Sequence, residues 1–122
     1  MDQLETIAGR PALLCAPQGP QLATGRDASD LIGDALSLGA DLIVIPTSRL
    51  SADFLRLSTG LAGEVLQKFV NYRLTPVILG DISSAVAASN PLRDFVRESN
   101  RGRSVWFVPD RATLENQLAA GF

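Results

Sequence analysis

Three short apolar runs, spaced about 30 residues apart, constrain the fold of this 122-residue chain more than any other feature. The runs are residues 42–45, 77–79 and 105–108. Each is rich in β-branched or aromatic residues and too short for a helix, which is typical of a buried parallel strand. Connections between such strands are right-handed in nearly all proteins. We therefore expect an α/β fold, a single domain whose mainly parallel β-sheet is wound as a right-handed β-α superhelix.

A fourth apolar run, residues 12–16, precedes the other three and extends the predicted sheet at its start. Residues 3–7 are expected to pair with this run as an N-terminal β-hairpin, with residues 8–10 forming the turn. Trp106 lies inside the last run, where both faces of a strand need cover. We therefore expect its side chain to be largely buried.

Helical signals fill the segments between the predicted strands. Apolar residues recur with the period of a helix at Ala28, Leu31, Ile32, Ala35 and Leu36. Asp27 is expected to cap the start of this helix and Gly39 to end it. Further helices are predicted over residues 61–73, from Asn90 as the capping residue with Pro91 at the first helical position to residues 100–102, and after Asp110. Residues 83–90 are expected to form a flexible loop.

Composition and charge narrow the class of protein. Hydrophobic residues make up 46% and charged residues 20% of the chain, which is typical of one well-packed globular domain. A net charge of −2 and a pI of about 4.9 attract no polyanion in general, so a nucleic acid is not expected as a partner. No apolar run approaches the roughly 20 residues that span a bilayer, and the first residues lack a secretory leader pattern. We expect a cytoplasmic protein with no membrane partner.

Few residues are available for catalysis. The chain has no histidine, and its single cysteine, Cys15, lies within an apolar run. This removes the usual general base, the usual zinc ligand and any cysteine-histidine pair. Asp81 and Asp110 follow predicted strands and could form a carboxylate pair, but a turn and a helix cap explain them better. We expect no catalytic residue, no bound metal, no cofactor and hence no enzyme.

The start of the predicted second helix is a candidate binding site. Residues 57–64 contain two hydroxyl side chains and two glycines. Unpaired amide groups at a helix start favour a negative charge, which would recruit an anion or an acidic partner. The candidate residues are Ser58, Thr59, Gly60 and Glu64. Capping of the helix by Ser58 or Thr59 is the simpler explanation of this segment.

A row of arginines on the predicted third helix is the second candidate. Arg93, Arg97 and Arg101 recur every four residues and would line one edge of that helix. Such an edge could hold a phosphate or a carboxylate, or it could be a solvated helix face. Asp81 and Asn100 complete the set of candidate binding residues.

Four segments carry a resemblance to a known family. They are residues 59–72, Gly80-Asp81, residues 92–95 and residues 98–102. Together they resemble the bacterial domain-of-unknown-function family four-one-eight-zero, over most of the chain from about Asp27 onward. That family has no established activity, so the resemblance implies none.

The chain is also similar, more remotely, to STAS domains, the fold of anti-sigma-factor antagonists. The predicted order of helices and strands agrees with that fold. Residues 57–61 resemble the Asp-Ser-Ser-Gly-Leu stretch that carries the regulatory phosphoserine of STAS proteins, with Ser58 at the phosphorylated position. Leu57 stands where those proteins usually have an acidic residue. The resemblance implies a STAS-like fold and a regulatory role through protein binding.

Three functions are compatible with these observations. The leading hypothesis is a non-enzymatic, STAS-like module that binds a protein partner of unknown identity around residues 58–64 and the third helix. The first alternative is a sensor of a small ligand or anion that uses the same helix start and the arginine row. An enzyme based on Asp81 or Asp110 ranks last, because no base or nucleophile pairs with either. A homodimer is left open.

Overall fold

The computed structural model describes residues 2–120, which form a five-stranded sheet with helices packed on both faces. The strands are β1 (Gln3–Ile7), β2 (Arg10–Leu14), β3 (Leu42–Pro46), β4 (Thr75–Leu79) and β5 (Trp106–Val108). The helices are α1 (Gly25–Ser37), α2 (Leu61–Asn71), α3 (Ser83–Ala88), α4 (Asn90–Arg101) and α5 (Arg111–Ala119). Two 3-10 turns, Thr47–Arg49 and Leu57–Thr59, follow β3. No helix among residues 2–120 is long and apolar enough to cross a membrane.

The sheet is mixed, which corrects the expectation of a mainly parallel sheet. Its strands lie in the order β1-β2-β3-β4-β5, and β2 to β5 run parallel to their neighbours. β1 is antiparallel to β2, because the predicted N-terminal hairpin does form. Ala8 and Gly9, with φ of 48° and 82°, supply the positive φ that a tight two-residue hairpin loop requires at both positions.

Two cores lie on opposite faces of the sheet. One core contains Ile43 and Ile78 of the sheet together with Val65 and Phe69 of α2, and α1 and α4 also pack against it. The other contains Leu114 and Leu118 of α5 with buried residues from all five strands, among them Trp106. Trp106 is 1% exposed, as predicted, and its indole Nε1 donates to the Gly102 carbonyl at 2.9 Å.

The helix starts differ from the predictions by a few residues. Thr24, not Asp27, caps α1: its Oγ1 accepts from the Asp27 amide at 3.2 Å, and the Asp27 carboxylate accepts from the Thr24 amide at 2.9 Å. This reciprocal capping box satisfies more backbone donors than Asp27 alone could. Ser89, not Asn90, caps α4 by accepting from the Leu92 amide at 3.2 Å.

Part of the predicted flexible loop at residues 83–90 is helical. Residues 83–88 form α3, and three of the six are alanine, the residue with the highest helix propensity. Gly39 has a φ of 74° directly after the end of α1, as predicted for a residue that ends a helix. Asp110 caps α5, also as predicted.

Candidate functional site

Ser58 lies on a groove of about 540 Å³ between the segment that precedes α2 and the α3–α4 turn. The groove, called here the Ser58 groove, is lined by Ala52, Leu55, Arg56, Leu57, Ser58, Ala85, Ala88, Ser89 and Pro91. Most of these side chains are apolar. The Ser58 side chain is exposed, and its hydroxyl has no hydrogen-bond partner among residues 2–120. The groove is thus an apolar trough with free polar groups of Ser58 and Arg56 in its lining.

The local fold separates Ser58 from the helix start that was predicted to contain it. Gly60, at a φ of 77°, turns the chain between the 3-10 turn and α2, which begins at Leu61. The Thr59 Oγ1 accepts from the Leu61 amide at 3.2 Å and lies 2.8 Å from the Arg56 carbonyl, to which it can donate. Thr59 therefore holds the turn together, and Ser58 caps no helix.

Glu64 lies on the side of α2 that faces α1. A Cβ placed on Gly25 of α1 would be 3.2 Å from the Glu64 Oε1, so the two helices approach closely there. Beside it, the Lys68 ammonium donates to the Ser29 hydroxyl of α1 at 2.9 Å. Glu64 is consequently part of the α1–α2 contact and does not line the Ser58 groove.

Two of the three predicted arginines are unpaired cations. Arg93 and Arg97 are exposed and make no hydrogen bond or ion pair with any of residues 2–120. Arg101 pairs with Glu98 at 3.2 Å, an exposed interaction worth little. Since Ser89, Arg93 and Arg97 are spaced four residues apart, they share one side of α4. Ser89 lines the groove, so this arginine row, Arg93 and Arg97, extends from its edge.

Asn100 has an internal position. Its side-chain Oδ1 accepts from the Phe107 amide at 2.7 Å, and its Nδ2 donates to the Phe107 carbonyl at 3.1 Å. These two bonds satisfy the backbone groups of β5 that point away from β4. Asn100 thus closes the outer edge of the sheet and is not aligned with the arginine row.

The two carboxylates that follow strands are both used locally. Asp81 accepts from the Ser83 amide at 2.8 Å, and its hydrogen bonds to Ser83 hold the pKa of that carboxyl below its usual range. Asp110 accepts from the Thr113 amide at 2.8 Å, and this hydrogen bond lowers its pKa. Asp81 lines a separate shallow depression with Val96 and Pro109, outside the Ser58 groove. The structure therefore leaves Asp81, Asn100 and Glu64 apart from Ser58.

The thiol and the remaining acidic groups offer little further chemistry. Burial raises the pKa of Cys15 to about 12, so its nucleophilic thiolate is scarce at neutral pH. Within the described part of the chain, no three histidine, cysteine, aspartate or glutamate side chains are placed to hold a metal ion.

Arg49 is a structurally central residue that the sequence does not reveal. It is 4% exposed and follows β3. Its guanidinium donates to the carbonyls of Pro20 and Ala16 at 2.6 and 3.0 Å, and it pairs with Asp2 at 3.0 Å. It thereby connects the start of β1 and the loop after β2 to the turn after β3. A single arginine among polar residues has no pattern that would predict this burial.

Comparison with known proteins gives one finding. A family model described as "Domain of unknown function (DUF4180)" matches residues 7–118. No curated protein and no solved structure matches the chain significantly. The family match covers both faces of the sheet, all of the helices except the last residue of α5, and every candidate residue described above. The chain is a member of the DUF4180 family.

Proposed function

We propose that this chain is a non-enzymatic regulatory module, STAS-like in fold, that binds a protein partner in the Ser58 groove. The observation that carries the proposal is the combination of a mainly apolar groove with two unpaired arginines on α4, the helix whose first turn lines that groove. Protein interfaces commonly have an apolar centre and enrich arginine. The expected partner is a segment that places one or more apolar side chains in the groove and acidic side chains along Arg93 and Arg97.

The STAS-like part of the proposal is supported by the order of elements. From α1 onward, helix, strand, turn, glycine-containing helix start, strand, helix, strand and helix follow one another as in the resemblance described above, except that two helices, α3 and α4, lie between β4 and β5. By the resemblance of residues 57–61, Ser58 corresponds to the residue through which STAS proteins regulate partner binding. Its exposed, unbonded hydroxyl in the groove lining is compatible with a partner contact. This is an analogy of fold and position.

A binding role is supported over a catalytic one by the state of the reactive groups. Asp81 and Asp110 are exposed carboxylates held in their ionised form by nearby donors, which makes them poor general acids or bases near neutral pH. The Cys15 thiol is buried and protonated. None of these groups lines the Ser58 groove.

A displayed library of random peptides, selected on the full chain, tests the proposal. Enriched peptides should combine large apolar with acidic residues. Arg97→Ala should weaken the best of them by more than about 1 kcal/mol at low salt and by less at high salt, because the contact is electrostatic. Ala88→Gln, which adds bulk to an exposed lining position, should also weaken binding.

Two controls make this experiment decisive. Arg26→Ala removes an exposed arginine from α1, away from the groove, and should leave peptide affinity unchanged. Arg97→Ala should change the free energy of unfolding by no more than about 0.5 kcal/mol, since Arg97 is exposed and unpaired. Equal affinities for Arg97→Ala, Ala88→Gln and wild type would contradict the proposed site.

A second candidate, a sensor of a small anion, is favoured by the same unpaired guanidinium groups. Arg93 and Arg97 could hold a phosphate or carboxylate by charge-assisted hydrogen bonds. Titration with inorganic phosphate, followed by amide chemical shifts, separates the two candidates. Saturable shifts confined to α4 and abolished in Arg97→Ala would favour the sensor, and a linear response that salt alone reproduces would not.

A further inference from the structure

The two edge strands of the sheet differ in whether their outward backbone groups are hydrogen-bonded. An open sheet leaves unpaired backbone donors and acceptors on its first and last strands, and these are places where another strand can add. Here the edge strands are β1 and β5. Whether each edge is closed can be determined from the hydrogen bonds that surround it.

The β5 edge is closed. The Gly80 amide donates to the Val108 carbonyl at 2.9 Å, so Val108 is directed toward β4 and the neighbouring residue Phe107 is directed outward. Both backbone groups of Phe107 are bonded to the side chain of Asn100. A strand from another molecule would have to displace that amide to pair with β5.

The β1 edge is open among the described residues. The Pro11 carbonyl of β2 accepts from the Asp41 amide just before β3, and the Cys15 amide just after β2 donates to the Val44 carbonyl of β3. The residues of β2 that alternate with these, Ala12 and Leu14, therefore bond toward β1. The register pairs Ala12 with Glu5, and the outward groups of β1 therefore belong to Leu4 and Thr6. No hydrogen bond of residues 2–120 reaches these groups from outside the hairpin.

β1 also lacks the features that protect an edge. It contains no proline and no lysine, and Leu4 is 45% exposed. Its one charge, Glu5, is ion-paired with Arg111 of α5. Asp2, immediately before the strand, accepts from the Ala16 amide at 2.8 Å and from Arg49, which fixes the strand from its first residue. The edge is thus preorganised, and its one charge is ion-paired.

We propose that β1 pairs antiparallel with β1 of a second copy of this chain, joining two sheets into one across a two-fold axis. A strand related to itself by a two-fold axis is self-complementary when the axis passes through Glu5. Leu4 of each copy then lies opposite Thr6 of the other, and their outward backbone groups form four hydrogen bonds.

The charges at the centre of the interface permit a second copy as the occupant in this register. Glu5 would lie opposite Glu5 of the other copy, an arrangement that is unfavourable for bare carboxylates. Each Glu5 brings its own Arg111, which also pairs with Glu115 of α5, so neither Glu5 carboxylate at the centre of the interface is bare. On the opposite face, pairing covers the exposed Leu4 side chain. Strand pairing alone buries a small area, so the dimer is expected to be weak and concentration-dependent.

Sedimentation velocity over a range of concentrations, on the full chain, tests the dimer. Thr6→Pro removes an outward amide that makes no bond within the hairpin, and two such amides are lost per dimer. It should weaken self-association at least about tenfold. Thr6→Val keeps the amide and should behave as wild type. A wild type that remains monomeric at about 1 mM, or equal association of Thr6→Pro and Thr6→Val, would overturn the proposal.

Cross-linking tests the register even if Thr6→Pro does not fold. Residues opposite each other in a non-hydrogen-bonded antiparallel pair are close enough for a disulfide. Glu5→Cys should therefore form a covalent dimer under mild copper-catalysed oxidation, many times faster than Gln3→Cys on the same face of the strand. Equal rates, or no dimer from Glu5→Cys, would refute this pairing. A strand from another protein would then be the remaining candidate for the edge.

Discussion

The backbone conformation and the packing at the carboxyl end of β4 require glycine at position 80. Gly80 follows β4 with a φ of 145°, and a Cβ at this position would lie 2.5 Å from the Thr47 Oγ1 and 2.8 Å from its Cγ2. Backbone strain and a steric clash therefore act together. The Gly80-Asp81 pair is one of the segments that carry the family resemblance. The strain and the clash explain why its first residue is glycine.

Gly80→Ala is expected to lower the free energy of unfolding by about 2–4 kcal/mol, from left-handed strain and overpacking together. Gly63→Ala is the matched control. Gly63 lies in the first turn of α2 with no foreign atom within 4 Å of an added Cβ, so alanine there should be neutral or stabilising by up to about 1 kcal/mol. Urea unfolding of the two variants and wild type measures both effects. A neutral Gly80→Ala would contradict the geometry of the β4 end.

Among the elements, α5 depends on its capping carboxylate and therefore on pH. The Thr113 amide lowers the pKa of Asp110 below its ordinary value of 3.8 in the folded chain. A carboxyl whose pKa is lower in the folded chain than in the unfolded chain stabilises the fold at pH values above its pKa in the unfolded chain. This stabilisation is lost as the pH falls through its pKa in the folded chain. Asp110→Ala should lower the midpoint of thermal unfolding at pH 7. The difference from wild type should shrink below pH 3.8, and a constant difference would contradict the charged cap.

The edge element β5 depends on α4 in a similar way. Asn100→Leu would remove both partners of the Phe107 backbone and leave an amide and a carbonyl unsatisfied. We expect a loss of about 2–3 kcal/mol in the free energy of unfolding, measured by urea denaturation. Asn90→Ala, an exposed substitution in the first turn of the same helix, should change it by no more than about 0.5 kcal/mol. Equal losses would mean that the edge bonds are unimportant.

The success of sequence-based prediction also differs between elements, for physical reasons. The apolar runs predicted the parallel strands because a strand buried on both faces needs continuous hydrophobicity. α3 was missed because six residues cannot show a helical period. The caps of α1 and α4 were misplaced because Thr24 and Ser89 compete with neighbouring Asp27 and Asn90, which are equally good capping residues.

At the scale of the whole molecule, the candidate site could be predicted only in part. Ser58 and the arginines could be proposed as site residues because hydroxyl groups beside glycine and a four-residue charge spacing are local patterns. The Ser58 groove itself is formed by residues 52–58 and by the α3–α4 turn, which are brought together by tertiary packing. The internal bonds of Asn100 could not be predicted for the same reason, because its partner, Phe107, is brought next to it only in the folded sheet.

Arg49 links three segments of the chain by hydrogen bonds, and its replacement tests how much these bonds stabilise the fold. Three segments distant in sequence, at Asp2, Ala16 and Pro20, accept hydrogen bonds from one buried guanidinium. Arg49→Met keeps much of the aliphatic bulk and leaves all three acceptors without this donor. Because these acceptors are half-buried or exposed, water can replace part of the lost bonding, and the free energy of unfolding should fall by about 1–3 kcal/mol. Asp2→Asn should cost clearly less, since its amide oxygen can still accept from Arg49 and the Ala16 amide. Urea unfolding that ranks the two variants in the reverse order would show that the charge of Asp2, and not the branched bonding of Arg49, holds this end of the sheet together.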